Sequence, residues 1–180
     1  MTTTIGPDST MADVLEVFPG AQRALFRKYH IGGCASCGFQ PTETLAQVCA
    51  RNDNLSVDEV LDYIKTSHEQ DAKILITPKD LAALLQQDKG VKLVDVRSRE
   101  EFEAARIEGS VLLSQPLMQE IMGSWPKNQL FVVVDHQGKR ALDGAAYFLG
   151  HGFESVRALH GGIDAWSQEV DENVPRYRLS

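Results

Sequence analysis

Two short segments of this 180-residue sequence carry side chains that could do chemistry. The first holds Cys34 and Cys37, the only C-x-x-C pair, with glycines on both sides. Thiols at this spacing can close a disulfide ring, and their pKa values are often lowered next to a helix N-terminus. Cys34 and Cys37 are therefore the predicted catalytic residues, with thiol–disulfide or persulfide exchange as the predicted chemistry.

The second segment follows an apolar run at residues 130–134 and reads Asp135-His136-Gln137-Gly138-Lys139-Arg140. A buried strand is predicted to end at Asp135, and a helix is predicted to begin near Arg140. The N–H groups of such a loop and of the helix start favour an anion. We predict that the Asp135 carboxylate occupies this cradle. We expect N–H donors, with Arg140 as a further candidate, to favour its ionised form.

Two other roles for Asp135 stay open on the sequence alone. Aspartate commonly caps a turn or a helix, which would make the residue purely structural. Asp135 could also attack a phosphate ester, but this role needs a metal or an acid partner, and His136 and Lys139 are the local candidates. In none of these roles can a carboxylate carry a transferable sulfur as a thiolate does.

Residues 74–178 resemble the rhodanese-like domains. The likeness rests on motifs in family order, which are Leu93–Arg97, Glu101-Phe102, Arg106–Ser110, Asp135–Arg140 and Gly152–Trp166. The family loop reads C-x-x-G-x-R, so the resemblance implies that Asp135 stands where the sulfur-carrying cysteine would be. It also implies that thiosulfate sulfurtransferase activity is absent. Ala105-Arg106-Ile107 replaces the family's G-H-I.

The order of the motifs predicts an α/β fold for this region, a parallel sheet flanked by helices. Apolar runs such as residues 130–134 suit strands that are covered on both faces. Asp95 and Arg97 lie at the end of a predicted strand, and we expect them to form ion pairs or hydrogen bonds that support the loop. The predicted strands are 92–96, 111–113, 130–135 and 155–159, and the predicted helices are 77–87, 117–123, 141–149 and 162–169.

Residues 1–66 are predicted to form a smaller all-α domain that carries the cysteines. A polar linker at residues 67–73 joins it to the rhodanese-like domain at 74–180. Glycines 32 and 33 are predicted to end its second helix. Residues 5–65 resemble the small helical domain associated with hybrid-cluster proteins, which is described as a redox-disulfide domain. The matching residues are Thr10–Leu15, Gly33–Cys37 and Glu43–Leu45.

Two alternatives to redox chemistry at the cysteine loop stay open: a reduced, solvent-facing pair with no chemical task, and a metal or Fe–S site. A closed site needs about four ligands, and Cys34 and Cys37 supply two. His30 and Cys49 are the further candidates within the chain. Because no second C-x-x-C pair occurs, the favoured prediction is no metal and no cofactor. Cys49, near Leu45 and Val48, is predicted to be a buried and inert thiol.

The composition of the chain limits the kinds of partner that it is expected to bind. A net charge of −7 argues against a nucleic-acid or anionic-membrane surface, and no apolar run is long enough to span a bilayer. No export signal is recognised at the N-terminus, so we expect a cytoplasmic location. The expected partner is a protein or a low-molecular-weight thiol or persulfide, and a homodimer stays open.

Two functions are consistent with these features. The first is a sulfur- or redox-handling accessory protein, in which the rhodanese-like domain serves as a non-catalytic scaffold or docking module. The second is a non-enzymatic binding or regulatory protein that uses its rhodanese-like face.

Overall fold

The computed structural model describes residues 4–32 and 38–178 of the chain. The described residues contain nine helices and five strands, and the chain divides into two compact units between Ala72 and Lys73. The apolar core of the N-terminal unit and those of the C-terminal unit consist of different residues. None of the described helices combines the length and the apolar character that crossing a bilayer requires.

The N-terminal unit is helical. Its helices are α1 Met11–Val17, α2 Ala21–Tyr29, α3 Leu45–Arg51 and α4 Val57–Ile74, whose last two residues fall in the C-terminal unit. Capping boxes begin α1 and α3, because the hydroxyls of Thr10 and Thr44 accept N–H groups that the first turn leaves unpaired. Met11 and Val14 are fully buried. The capping residues therefore fix where these helices begin, and the apolar spacing directs Met11 and Val14 into the core of the unit.

Two features of this unit differ from the prediction. Helix α2 ends at Tyr29, before the predicted glycine stop, because His30 adopts a left-handed φ of 57° and its N–H caps the last turn. The polar segment at residues 67–73, predicted as a linker, is helical and belongs to α4. Its side chains make contacts that polarity alone does not reveal: the His68 ring meets Phe18 edge-on, and Asp71 pairs with Arg23.

The C-terminal unit alternates strands and helices, and the predicted α/β class is confirmed. Its strands are β1 Leu75–Ile76, β2 Lys92–Asp95, β3 Ser110–Leu112, β4 Phe131–Val134 and β5 Val156–Leu159. Its helices are α5 Pro78–Gln87, α6 Arg99–Ala104, α7 Gln115–Ser124, α8 Lys139–Gly150 and α9 Gly162–Glu169. All strand pairs are parallel, in the order β1-β5-β4-β2-β3.

Strand β4 is the central strand of the sheet, and both of its faces are apolar. Val132 and Val134 pack into one core cluster, and Phe131 and Val133 pack into the cluster on the opposite face. The carboxyl ends of parallel strands meet at one edge of the sheet, where ligands commonly bind in open α/β folds. The pairing of β2 with β4 therefore brings residues 95–97 close to the loop that begins at Asp135.

The strand that the sequence did not predict is β1. Its two residues are too few to show the alternation of apolar and polar side chains that identifies a strand.

Candidate functional site

Asp135 fills the turn between β4 and α8. The residue is buried, with an exposed fraction of 2%. One carboxylate oxygen accepts the N–H of Gly138, and the other accepts the N–H of Arg140 at 2.8 Å. Gly138 has a φ of 95°, a left-handed conformation that glycine adopts without a steric penalty. The carboxylate thus pairs with N–H groups at the start of α8 that could otherwise bind an anion.

Burial and hydrogen bonding act on the pKa of Asp135 in opposite directions. Burial raises the pKa above its ordinary value, and this effect outweighs the N–H groups of Gly138, Ala141 and Arg140, which lower it. The net direction is opposite to our expectation that the loop favours the ionised form. Peptide N–H groups carry only partial charges, so they do not offset the loss of water around the carboxylate.

The side chain of Arg140 points to a different partner from the one expected. Its Nη2 donates to the carbonyl oxygen of Val96, just beyond β2, at 3.2 Å. Its charge lowers the pKa of Asp135 less than the backbone hydrogen bonds do. Lys139 begins α8, and both Lys139 and Gln137 are exposed. The loop therefore presents cations at its rim and peptide N–H groups at its centre.

Helix α9 closes the loop from the side. The N–H groups of Ile163 and Asp164 donate to the carbonyl oxygens of Asp135 and His136 at 2.9 Å and 3.1 Å. Gly162 has a φ of 64°, and a Cβ atom there would collide with the backbone of both acceptor residues. This close approach explains why glycine is needed at the start of α9.

Asp95 and Arg97 form the buried ion pair expected at the end of β2. Arg97 Nη2 lies 2.7 Å from Asp95 Oδ2, and both side chains are fully buried. The same nitrogen donates to the carbonyl oxygen of Ala105 at 2.6 Å. Ala105, which departs from the family motif, therefore contributes through its backbone, while Arg106 is exposed and its guanidinium lies over the Phe102 ring.

Tyr177 is a member of this cluster that the sequence did not reveal. Its hydroxyl accepts a hydrogen bond from Arg97 Nη1 at 2.7 Å and donates to Glu101 Oε1 at 2.9 Å. Its ring stacks on the imidazole of His136, with centroids 4.3 Å apart and planes at 18°. Burial is the largest cause that raises the pKa of Tyr177, to about 12. An aromatic residue near the end of the chain gave no signal of this role.

The predicted catalytic residues Cys34 and Cys37 lie outside the described residues. The two candidate ligands for a metal at that loop are described. Cys49 is 1% exposed, and burial raises its pKa, whereas His30 is exposed at the end of α2. Within residues 4–32 and 38–178, no three His, Cys, Asp or Glu side chains are grouped so as to hold a metal ion. The metal alternative stays a prediction.

Comparison with known proteins identifies the class to which this fold belongs. Residues 77–169 match the family model described as the rhodanese-like domain. The matched region makes up more than half of the chain, and the chain therefore belongs to the rhodanese-like family. The resemblance predicted for the C-terminal region is thereby confirmed.

Named relatives include sulfurtransferases. A Pseudomonas savastanoi protein named thiosulfate sulfurtransferase GlpE is 33% identical over 100 residues, which cover 55% of this chain and 92% of GlpE. A Candida albicans protein named adenylyltransferase and sulfurtransferase UBA4 is 27% identical over 157 residues, which cover 80% of this chain but 34% of UBA4. Both relatives are named as sulfurtransferases.

Among solved structures, a rhodanese-like domain protein from Staphylococcus aureus is similar to this chain. The two are 27% identical with a TM-score of 0.47, and the match covers 58% of this chain and 98% of the other.

Proposed function

We propose that this chain is a sulfur- or redox-handling accessory protein. Cys34 and Cys37 do the chemistry, and the rhodanese-like domain is a non-catalytic scaffold or docking module. The observation that carries the proposal is the occupancy of the loop: the Asp135 carboxylate accepts the N–H groups of Gly138 and Arg140. In the family pattern a cysteine begins this loop, and a carboxylate cannot accept and release sulfur as a thiolate can.

The C-x-x-C pair offers a route by which sulfur from a donor persulfide is released as hydrogen sulfide while the pair is oxidised. A thiolate of the pair attacks the outer sulfur of a donor persulfide, becomes a persulfide itself, and releases the donor as a thiol. The second thiolate then attacks the protein-bound sulfur of that persulfide, which forms the Cys34–Cys37 disulfide and releases hydrogen sulfide. The predicted likeness of residues 5–65 to the redox-disulfide domain favours this role. The predicted cytoplasmic location agrees with it, because in a reducing compartment such pairs are more often redox-active or metal-binding than structural.

Exposure of the reduced chain to glutathione persulfide, followed by intact-mass and peptide-mass measurement, tests this role. We expect added sulfur, or a disulfide, at Cys34 and Cys37. Cys49 serves as an internal control, because its burial and raised pKa predict no reaction. The Cys34→Ser, Cys37→Ser double variant should take up no sulfur. An unmodified wild-type chain would contradict the proposal.

The scaffold role has a separate test. We expect no thiosulfate:cyanide sulfurtransferase activity from the rhodanese-like domain. Turnover that survives replacement of all three cysteines would contradict the scaffold role. In Asp135→Cys, a gain of activity would show that only the nucleophile is missing from the loop.

The second candidate function is a binding or regulatory role for the rhodanese-like face. It is favoured by the ordered loop, in which the buried Asp135 is held by α8 and α9. The Cys34→Ser, Cys37→Ser double variant separates the two functions. Retained partner binding and cellular function in that variant would favour the binding role over the redox role.

A further inference from the structure

We infer that residues 174–178 form an intramolecular plug that closes the entrance to the Asp135 loop. This inference goes beyond the proposed function, because it concerns access to the rhodanese-like site and not the chemistry of the cysteine pair. The plug is built from contacts with three separate parts of the C-terminal unit: the loop itself, α6 and α9.

The first contact holds the plug on the loop. The rings of Tyr177 and His136 are stacked with their centroids 4.3 Å apart. The Nε2 atom of His136 also lies 3.0 Å from the carbonyl oxygen of Tyr177. His136 follows Asp135 directly, so the tyrosine ring and its backbone both cover the residue next to the buried carboxylate.

The second contact holds the plug on α6 and on the buried ion pair. The Tyr177 hydroxyl lies between Arg97 and Glu101 and uses both of its hydrogen-bonding functions, as an acceptor at 2.7 Å and as a donor at 2.9 Å. A hydroxyl with two charged partners is specifically positioned, because hydrogen bonds to ionised groups are stronger than those between neutral groups.

The third contact fixes the segment that leads to Tyr177. The Ser167 hydroxyl of α9 donates to the carbonyl oxygen of the buried Val174 at 2.6 Å, and Arg176 pairs with Asp164 at 2.8 Å. The plug is therefore anchored on α9 as well as on α6 and His136. A cavity remains beside it, lined by Gln137, Asp164 and residues 176–178.

The rhodanese-like site is therefore blocked in two ways. Asp135 occupies the N–H groups from inside, and Tyr177 covers the neighbouring His136 from outside. Restoring a nucleophile at position 135 would then not be enough to expose it, because the plug must also leave. A reagent could reach the buried side chain at position 135 only in the fraction of molecules in which the plug is open.

The experiment introduces a thiol as a probe by Asp135→Cys in the full chain. Alkylation by iodoacetamide is followed at position 135 by peptide mass, so that the natural cysteines do not interfere. Adding Tyr177→Ala removes the ring stack and the hydroxyl contacts, and we expect the alkylation rate to rise by about tenfold or more. Tyr147→Ala is the matched control, because Tyr147 is 48% exposed on α8 and contacts Phe148 and His151.

An unchanged rate in the Tyr177→Ala variant would overturn the inference, as would an equal rise with Tyr147→Ala. If Tyr177→Ala does not fold, Tyr177→Phe decides the question, because it keeps the ring stack and loses the hydroxyl contacts. We expect its rate to rise about threefold, and a rate equal to that of the parent would overturn the inference. The outcome does not depend on sulfur transfer at Cys34 and Cys37, so the two proposals can fail separately.

Discussion

Asp95 and Asp135 are buried carboxylates at the ends of two neighbouring parallel strands, and they are held in different ways. Asp95 faces the guanidinium of Arg97, with 2.7 Å between Oδ2 and Nη2. Asp135 accepts hydrogen bonds from the peptide N–H groups of Gly138 and Arg140. The first carboxylate meets a full opposite charge, whereas the second meets the partial charges of the backbone, and burial raises its pKa.

The contrast shows that the Asp95–Arg97 pair holds the fold together, whereas the side chain at position 135 can be replaced. Arg97 also donates to the carbonyl of Ala105 and to the hydroxyl of Tyr177, so the ion pair joins β2 to distant parts of the chain. The hydrogen bonds of the Asp135 carboxylate stay within its own loop. A change of side chain at position 135 can therefore alter chemistry while the fold persists. A change at Arg97 should disturb several elements at once.

The largest effect is expected from Arg97→Met, which leaves the Asp95 carboxylate buried without its partner. We expect the free energy of unfolding to fall by about 3–5 kcal/mol. Urea denaturation followed by tryptophan fluorescence measures it, because Trp125 and Trp166 both lie in the C-terminal unit. The double variant Asp95→Asn, Arg97→Met should lose less than Arg97→Met alone. A single variant as stable as the wild type would show that Asp95 needs no charged partner.

Asp135→Ala should have the next largest effect. It leaves the N–H groups of Gly138 and Arg140 without their acceptor, and we expect a loss of about 2 kcal/mol, since water can reach the loop in part. Gln137→Ala is the matched control, because Gln137 is exposed in the same loop and should leave stability unchanged. Equal stability of the two variants would mean that the carboxylate does not hold the loop.

The pH dependence of stability tests how far hydrogen bonding offsets the burial of Asp135. Because the folded-state pKa of Asp135 is raised, its neutral form is favoured in the fold, and the wild type should gain stability relative to Asp135→Asn as the pH falls toward 3.8. The pKa values of Glu101 and Asp164 are lowered in both proteins, so their effects cancel in the difference. Denaturation of both proteins over a pH series gives the slope, and the opposite slope would show that the N–H groups outweigh burial.

Sequence patterns predicted the positions of both carboxylates in the fold. The apolar run before Asp135 identified β4, and the family motifs placed Asp95, Arg97 and the loop at one edge of a sheet. The net pKa direction of Asp135 could not be predicted, because it depends on how α9 covers the loop. Nor could Tyr177, since a short segment after the last helix has no periodic pattern to show where it returns.

The smallest effect concerns Tyr177, which is linked to both regions through Arg97 and His136. Its pKa is raised to about 12, because burial disfavours the phenolate more than Arg97 favours it. The neutral hydroxyl therefore contributes stability below pH 10.0, and this contribution should be lost as the pH rises toward about 12. Absorbance titration should show one of the four tyrosines ionising late, and Tyr177→Phe should remove that late step. A late step that persists in the variant would contradict the raised pKa of Tyr177.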